Sequence, residues 1–191
     1  MANFDTQIQD LVVASPNGSF DTTACDQWAA DACKDIINKL PSHLKLKCIK
    51  SATLNNSATT LDLDDSGARG NIMHVVRVSA DSGGYQKPCR LIPSAYGDLS
   101  NDSTDINYYA TADDPVYWVA SNSSGASTLF VKPLPTANQE AYVHYLAYPT
   151  VNVDSVDTIA NFPDEAEYLV VLYCAAQQAL QYANTEASNE D

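Results

Sequence analysis

The hydrophobic period of this chain changes twice along its length, and that limits its fold more than any single motif does. Residues 22–40, TTACDQWAADACKDIINKL, place Cys25, Trp28, Ala29, Ala32, Cys33, Ile36, Ile37 and Leu40 at helical spacing. Thr22 or Thr23 is in position to cap the start, and Pro41 lies just past the end. A shorter amphipathic segment built on Phe4, Ile8, Leu11 and Val12 precedes it and closes at the turn signal Ser15-Pro16-Asn17-Gly18. From about residue 45 β-branched and aromatic residues alternate with polar ones, between clusters of Asn, Ser, Asp and Gly. The pattern predicts strands near residues 46–53, 59–63, 72–79, 86–92, 107–111, 116–120, 128–132 and 141–148. The last three, with their turn-rich links, read as an antiparallel meander. Pro133 and Pro135 belong in a connection there, because neither can donate to a ladder. At residue 163 helical spacing returns.

Two helices, a run of short strands and a final helix give an α+β order rather than alternating βαβ units. The expected architecture has N- and C-terminal helices packed together with an inserted antiparallel β domain. Residues 1–44 form the N-terminal helical part and 45–160 the β domain. Residues 161–191 form the C-terminal helix, which returns to the helical part and ends in an acidic tail. Trp28, Ile36 and Ile37 are then expected to pack on Leu169, Leu172 and Ala176.

The terminal helix, NFPDEAEYLVVLYCAAQQALQYA over 161–183, has a well-marked start. Pro163 suits a first turn, where its missing N–H has no partner to lose, and Asp164 and Glu165 complement the positive end of the dipole. Thereafter Leu169, Val170, Leu172, Tyr173, Ala176 and Leu180 occupy more than one face, a wider apolar surface than an ordinary surface helix carries. Two readings are open on residues alone. The helix is central to its own core, or a neighbouring subunit covers part of it.

Composition narrows the function. A chain of 191 residues with 45% apolar content and 11 tyrosines is globular, and its formal charge of −14 opposes non-specific attraction to a phosphate backbone. Lys39, Lys45, Lys47 and Lys50 make the one loose basic run, which reads as a solvated helix end and strand edge. The five cysteines, Cys25, Cys33, Cys48, Cys89 and Cys174, are odd in number and show no CxxC spacing, which fits buried small hydrophobes in a reducing compartment. A basic-then-apolar leader and a long apolar span are both missing, so a soluble chain made in the cytosol is expected, with no membrane partner.

Reactive machinery is not visible. His43, His74 and His144 lie in no HExxH pair, and His144, which shares a strand face with Tyr142, Leu146 and Tyr148, reads as structural. No GxSxG or Gly-rich phosphate loop occurs. DLDDSG at 62–67 opens like a calcium loop, but the twelfth position is Met73 instead of a bidentate glutamate, so it reads as an acidic turn. Tyr85, Tyr96, Tyr108, Tyr109, Tyr117, Tyr142, Tyr145 and Tyr148 suit cross-strand packing or, as an alternative, a sugar platform. No catalytic residue, cofactor or metal ligand is nominated, and a structural or interaction role is expected instead of an enzyme.

One resemblance gives that role content. The stretch PVYWVASNSSGASTLFVKPLPTANQEAYVHYLAYPTV, then IANFPDEAEYLVVLYCAAQQAL, resembles the head-to-tail connector, or adaptor, proteins of tailed bacteriophages. The matching features are the aromatic pair Tyr117 and Trp118, the Pro133/Pro135 turn, Tyr148 with Pro149, and the helix start at Pro163, Asp164 and Glu165. QWAADACKDIINKLP resembles the first long helix of such proteins. The resemblance implies a virion protein made in the host cytoplasm, a helical bundle with a β insertion, and a homo-oligomeric ring of about a dozen copies. It also implies the portal protein and the next tail component as partners, and DNA passing through the ring without sequence-specific binding. Leu169, Leu172, Tyr173, Ala176 and Leu180 are the candidate subunit-interface residues on this reading. The helix is expected to stop near Ala183, before NTEASNED, shorter than connector helices often are. Another tail or neck protein and a carbohydrate-binding β module are the alternatives.

Overall fold

A computed structural model describes residues 3–12, 20–63, 69–78, 84–121 and 125–189. The chain divides into two compact units, one made of 1–48 with 147–191 and the other of 49–146.

The first unit is helical. Helix α1 (Phe4–Leu11) is capped by Asn3, whose side chain accepts from the Thr6 amide. Helix α2 (Thr22–Lys39) is capped by Asp21, which accepts from the Ala24 amide at 3.0 Å. The expected cap at Thr22 or Thr23 is therefore one or two residues late, because the carboxylate before them reaches the free amide first. A one-turn helix α3 (Ser42–Lys45) follows Pro41, and the long α4 (Asp164–Asn189) ends the unit. Helix α4 runs six residues past the expected stop at Ala183. Nothing in Asn184-Thr185-Glu186-Ala187-Ser188 breaks a helix, and Thr185 Oγ1 settles on the Gln181 carbonyl at 2.9 Å.

Helices α1 and α2 both pack on α4. The α2 side of that seam is Cys25, Ala29, Ala32, Cys33 and Ile37, all buried, and the α4 side is Ala166, Val170, Val171, Cys174 and Ala175. Side chains this small let two helices approach closely. The expected pairing of Trp28, Ile36 and Ile37 with Leu169, Leu172 and Ala176 holds for the helices but not for the faces. Leu169, Leu172 and Ala176 point outward, and Ile37 is the buried member of the α2 trio. The link 148–163 closes the unit with Val151, Val153, Ile159 and Phe162 inside. Its carbonyls take the free amides of α1, Phe4 to Val156 at 3.1 Å and Asp5 to Val153 at 3.0 Å.

The second unit is a two-sheet sandwich. One sheet has the order β1 (Ile49–Leu54), β8 (Ala141–Ala147), β3 (Arg69–Val78), β4 (Gln86–Pro88). The other runs β2 (Thr60–Asp62), β7 (Ser127–Lys132), β6 (Val116–Ser121), β5 (Arg90–Leu91). Leu54, Leu61, Val75, Leu129, Val131 and Val143 form the core between them. The alternation that marks the strands sends Trp118 and Phe130 to the opposite face of the second sheet, where their rings stack at 5.4 Å.

Three strand expectations are corrected here. Residues 107–111 form no strand: Asn107 and Tyr108 lie in a turn, their amides taken by Asp105 Oδ1 at 2.8 Å each, and 109–111 are irregular. The meander is broken, because β8 leaves β7 to pair with β1, Ile49 opposite Leu146 through Leu54 opposite Ala141. Segment 86–92 is two strands interrupted at Cys89, and the second pairs in parallel with β6. The turn signal at 15–18 and most of the acidic turn at 62–67 lie outside the described residues.

Candidate functional site

Helix α4 is apolar on both of its faces, and only one is used inside the chain. At 100° per residue, Ala166, Val170, Val171, Cys174, Ala175 and Gln178 fall on one half of the helix, and all are buried. Tyr168, Leu169, Leu172, Tyr173, Ala176, Ala179, Leu180 and Ala183 fall on the other half, and all are exposed. Tyr168 keeps 61% of its surface exposed, Leu169 49% and Leu180 58%. From Tyr168 to Ala183 this outward half carries no charged side chain over roughly 22 Å of helix. Leu169, Leu172, Ala176, Ala179 and Ala183 follow one another at alternating spacings of three and four, the pattern of a seam between helices. Surface helices of a lone domain put charge in such positions.

The structure therefore brings all five sequence-nominated residues, Leu169, Leu172, Tyr173, Ala176 and Leu180, onto one continuous strip. Tyr168 belongs to the strip too and was not nominated, although its i, i+4 relation to Leu172 was readable. Gln178 reads in sequence as a polar interruption and is instead completely buried. Its Oε1 accepts from the Cys25 thiol at 3.5 Å, so the amide serves the α2–α4 seam.

Ionisable groups elsewhere are held in structural settings. Burial, reinforced by nearby carboxylates, pushes the Cys25 thiol up to about 12; burial also raises Cys33 and Cys174 to about 12, keeping all three protonated and unreactive. His74 and His144 stack across neighbouring strands β3 and β8, ring centroids 4.2 Å apart. Burial first, then the neighbouring His74, holds the His144 pKa below its ordinary value. Arg77 is 2% exposed, with no carboxylate bonded to it among the described residues. It donates to the carbonyls of Pro133 (3.0 Å) and Leu134 (3.2 Å) and to Gln139 Oε1 (3.0 Å), and so fastens the Pro-Leu-Pro connection that precedes β8. Sequence reading missed it, because an arginine in VVRVS looks like the solvent side of an alternating strand.

The tyrosines do not form one row of rings. Tyr145 is buried, Tyr117 and Tyr142 are half-buried, and Tyr96 stacks on Tyr108 at 4.5 Å. Among the described residues no group of three or more His, Cys, Asp or Glu is placed to hold a metal ion. Among them, too, no helix is long and apolar enough to cross a membrane.

The family described as SU10 adaptor protein matches residues 3–190, and the chain belongs to that family, a phage structural adaptor and virion component. No curated protein matches the sequence.

Proposed function

We propose that this member of the SU10 adaptor family is a non-enzymatic structural protein that forms a ring at the head–tail junction of a tailed phage. The ring joins the portal protein to the next tail component and leaves a channel for DNA. The observation that carries this reading is the uncharged outward half of α4. An exposed apolar strip of this length marks a place where another surface lies in the assembled state. An adaptor ring supplies such a surface in the adjacent copy, because a heterologous contact repeated around a closed circle lets one face of a subunit meet a different face of its neighbour. On this reading Leu169, Leu172, Tyr173, Ala176 and Leu180, with Tyr168, face the adjacent copy.

The charge of −14 fits the same role. A conduit whose wall repels phosphate lets a duplex slide, whereas a basic wall retains it. Immunogold labelling of purified particles tests the placement. Gold confined to the head–tail vertex is the expected result, and labelling of the capsid faces or of the distal tail rejects it.

A further inference from the structure

The 24 residues from Ile92 to Pro115 form the crossover between two parallel neighbouring strands, about twice the dozen residues that such a crossover needs. It is nonetheless tightly built. Ile92 and Ala110 pack with Trp118 on the outer face of the second sheet, and Gly97 lies so close to the indole that a Cβ there would sit 2.7 Å from it. Arg90 clamps the two ends, donating to the Asn107 carbonyl and to Asp114 Oδ2 at 2.9 Å each, and Lys87 pairs with Asp113 at 3.4 Å. Asp102 and Asp105 fold the tip by accepting from backbone amides of Thr104, Asn107 and Tyr108. At this fixed tip Ile106 is 97% exposed. A hydrophobic side chain held fully in water at the end of a preorganised loop gains nothing for the fold, and preorganisation removes the ordering cost of binding.

We infer that the loop 92–115 is a docking knob, with Ile106 entering an apolar pocket rimmed by Lys and Arg on a different protein of the particle. Charge identifies the occupant. Ile106 stands beside Asp102 and Asp105, with Asp98 in the same loop, so its complement is apolar at the centre and basic at the edge. A second copy of this chain is poorly supplied to provide that edge. It carries 24 Asp and Glu against ten Lys and Arg, a net charge of −14 that repels an acidic knob on balance. The inference rests on the adaptor reading, in which portal and tail components are the available unlike partners.

The test places the photo-crosslinking residue p-benzoylphenylalanine at position 106 in assembled particles and identifies the adduct by mass spectrometry. The expected adduct is one other virion protein, joined at a peptide with apolar residues flanked by Lys or Arg. Alongside it, Ile106→Ser leaves the thermal melt unchanged and lowers incorporation into particles by about tenfold, while Ile106→Leu restores it. Adducts to a second copy, no adduct from a chain present in particles, or full incorporation of Ile106→Ser overturns the docking knob and leaves the adaptor reading standing. A chain missing from purified particles overturns both.

Discussion

Leu180→Asp separates folding from assembly. In the protomer Leu180 is 58% exposed, so it has withdrawn about two-fifths of its surface from water. Full burial of a leucine contributes about 1.5–3 kcal/mol, and the part already realised in the fold is about 1 kcal/mol. The lower helix propensity of aspartate adds roughly 0.5 kcal/mol, so the variant is expected to fold with a modestly lower Tm. In a ring the balance differs. The remaining burial, about another 1 kcal/mol, is lost, and a carboxylate enters an apolar contact at a cost of several kcal/mol unless it finds a partner. Association is therefore expected to fall by at least about a hundredfold at each contact. Native mass spectrometry reads the oligomer and circular dichroism reads the fold, with Val170→Asp as the contrasting variant. Val170 is 2% exposed on the inward half, and its substitution is expected to unfold the helical unit. Ala176→Asp should behave like Leu180→Asp. Intact rings in Leu180→Asp, or unfolding as complete as in Val170→Asp, refutes the division of α4 into a folding face and an assembly face.

Three further expectations concern the sandwich unit. Gly97→Ala places a methyl 2.7 Å from the Trp118 indole, an overpacking of about 1–3 kcal/mol that a lowered Tm reports and an unchanged Tm contradicts. Arg77→Met strips three acceptors of their donor in a closed site, and a loss of about 2–3 kcal/mol in chemical denaturation is expected; wild-type stability rejects the fastening role. His144 has a folded pKa below the ordinary 6.5, so the unfolded chain takes up its proton first. Its contribution is complete above 6.5 and declines as pH falls from there toward the folded pKa. The stability advantage of wild type over His144→Gln should therefore shrink as pH falls below about 6.5, and a constant difference contradicts the stacked, desolvated setting.

Much of the fold was legible because its signals are local. The helical spacing of Cys25, Ala29, Ala32 and Cys33 and the proline–acid start of α4 need no knowledge of the rest of the chain. The α+β class followed from element order. Strand partners were not legible in the same way. β8 carries the same alternation whether it continues a meander or joins β1 and β3, and the difference lies in long-range pairing, Ile49 opposite Leu146 through Leu54 opposite Ala141, which no local pattern encodes. The false strand at 107–111 has an equally clear cause, since Tyr108 and Tyr109 look β-prone while the Asx turn made by Asp105 takes the amides of Asn107 and Tyr108. For the interaction surface, sequence showed that α4 is too broadly apolar for one stripe. Which half faces its own bundle depended on the small residues of α2, and only the folded seam assigns Val170 and Cys174 inward and Leu169 and Leu172 outward.

The most direct measurement is a cryo-electron microscopy map of the head–tail junction in intact particles, at side-chain detail along α4. Tyr168, Leu169, Leu172 and Leu180 should each be covered by an identical neighbouring subunit, on every copy around a closed ring. A map in which those side chains remain in solvent, or lie against a chain of different sequence, contradicts the shared-helix basis of the assembly.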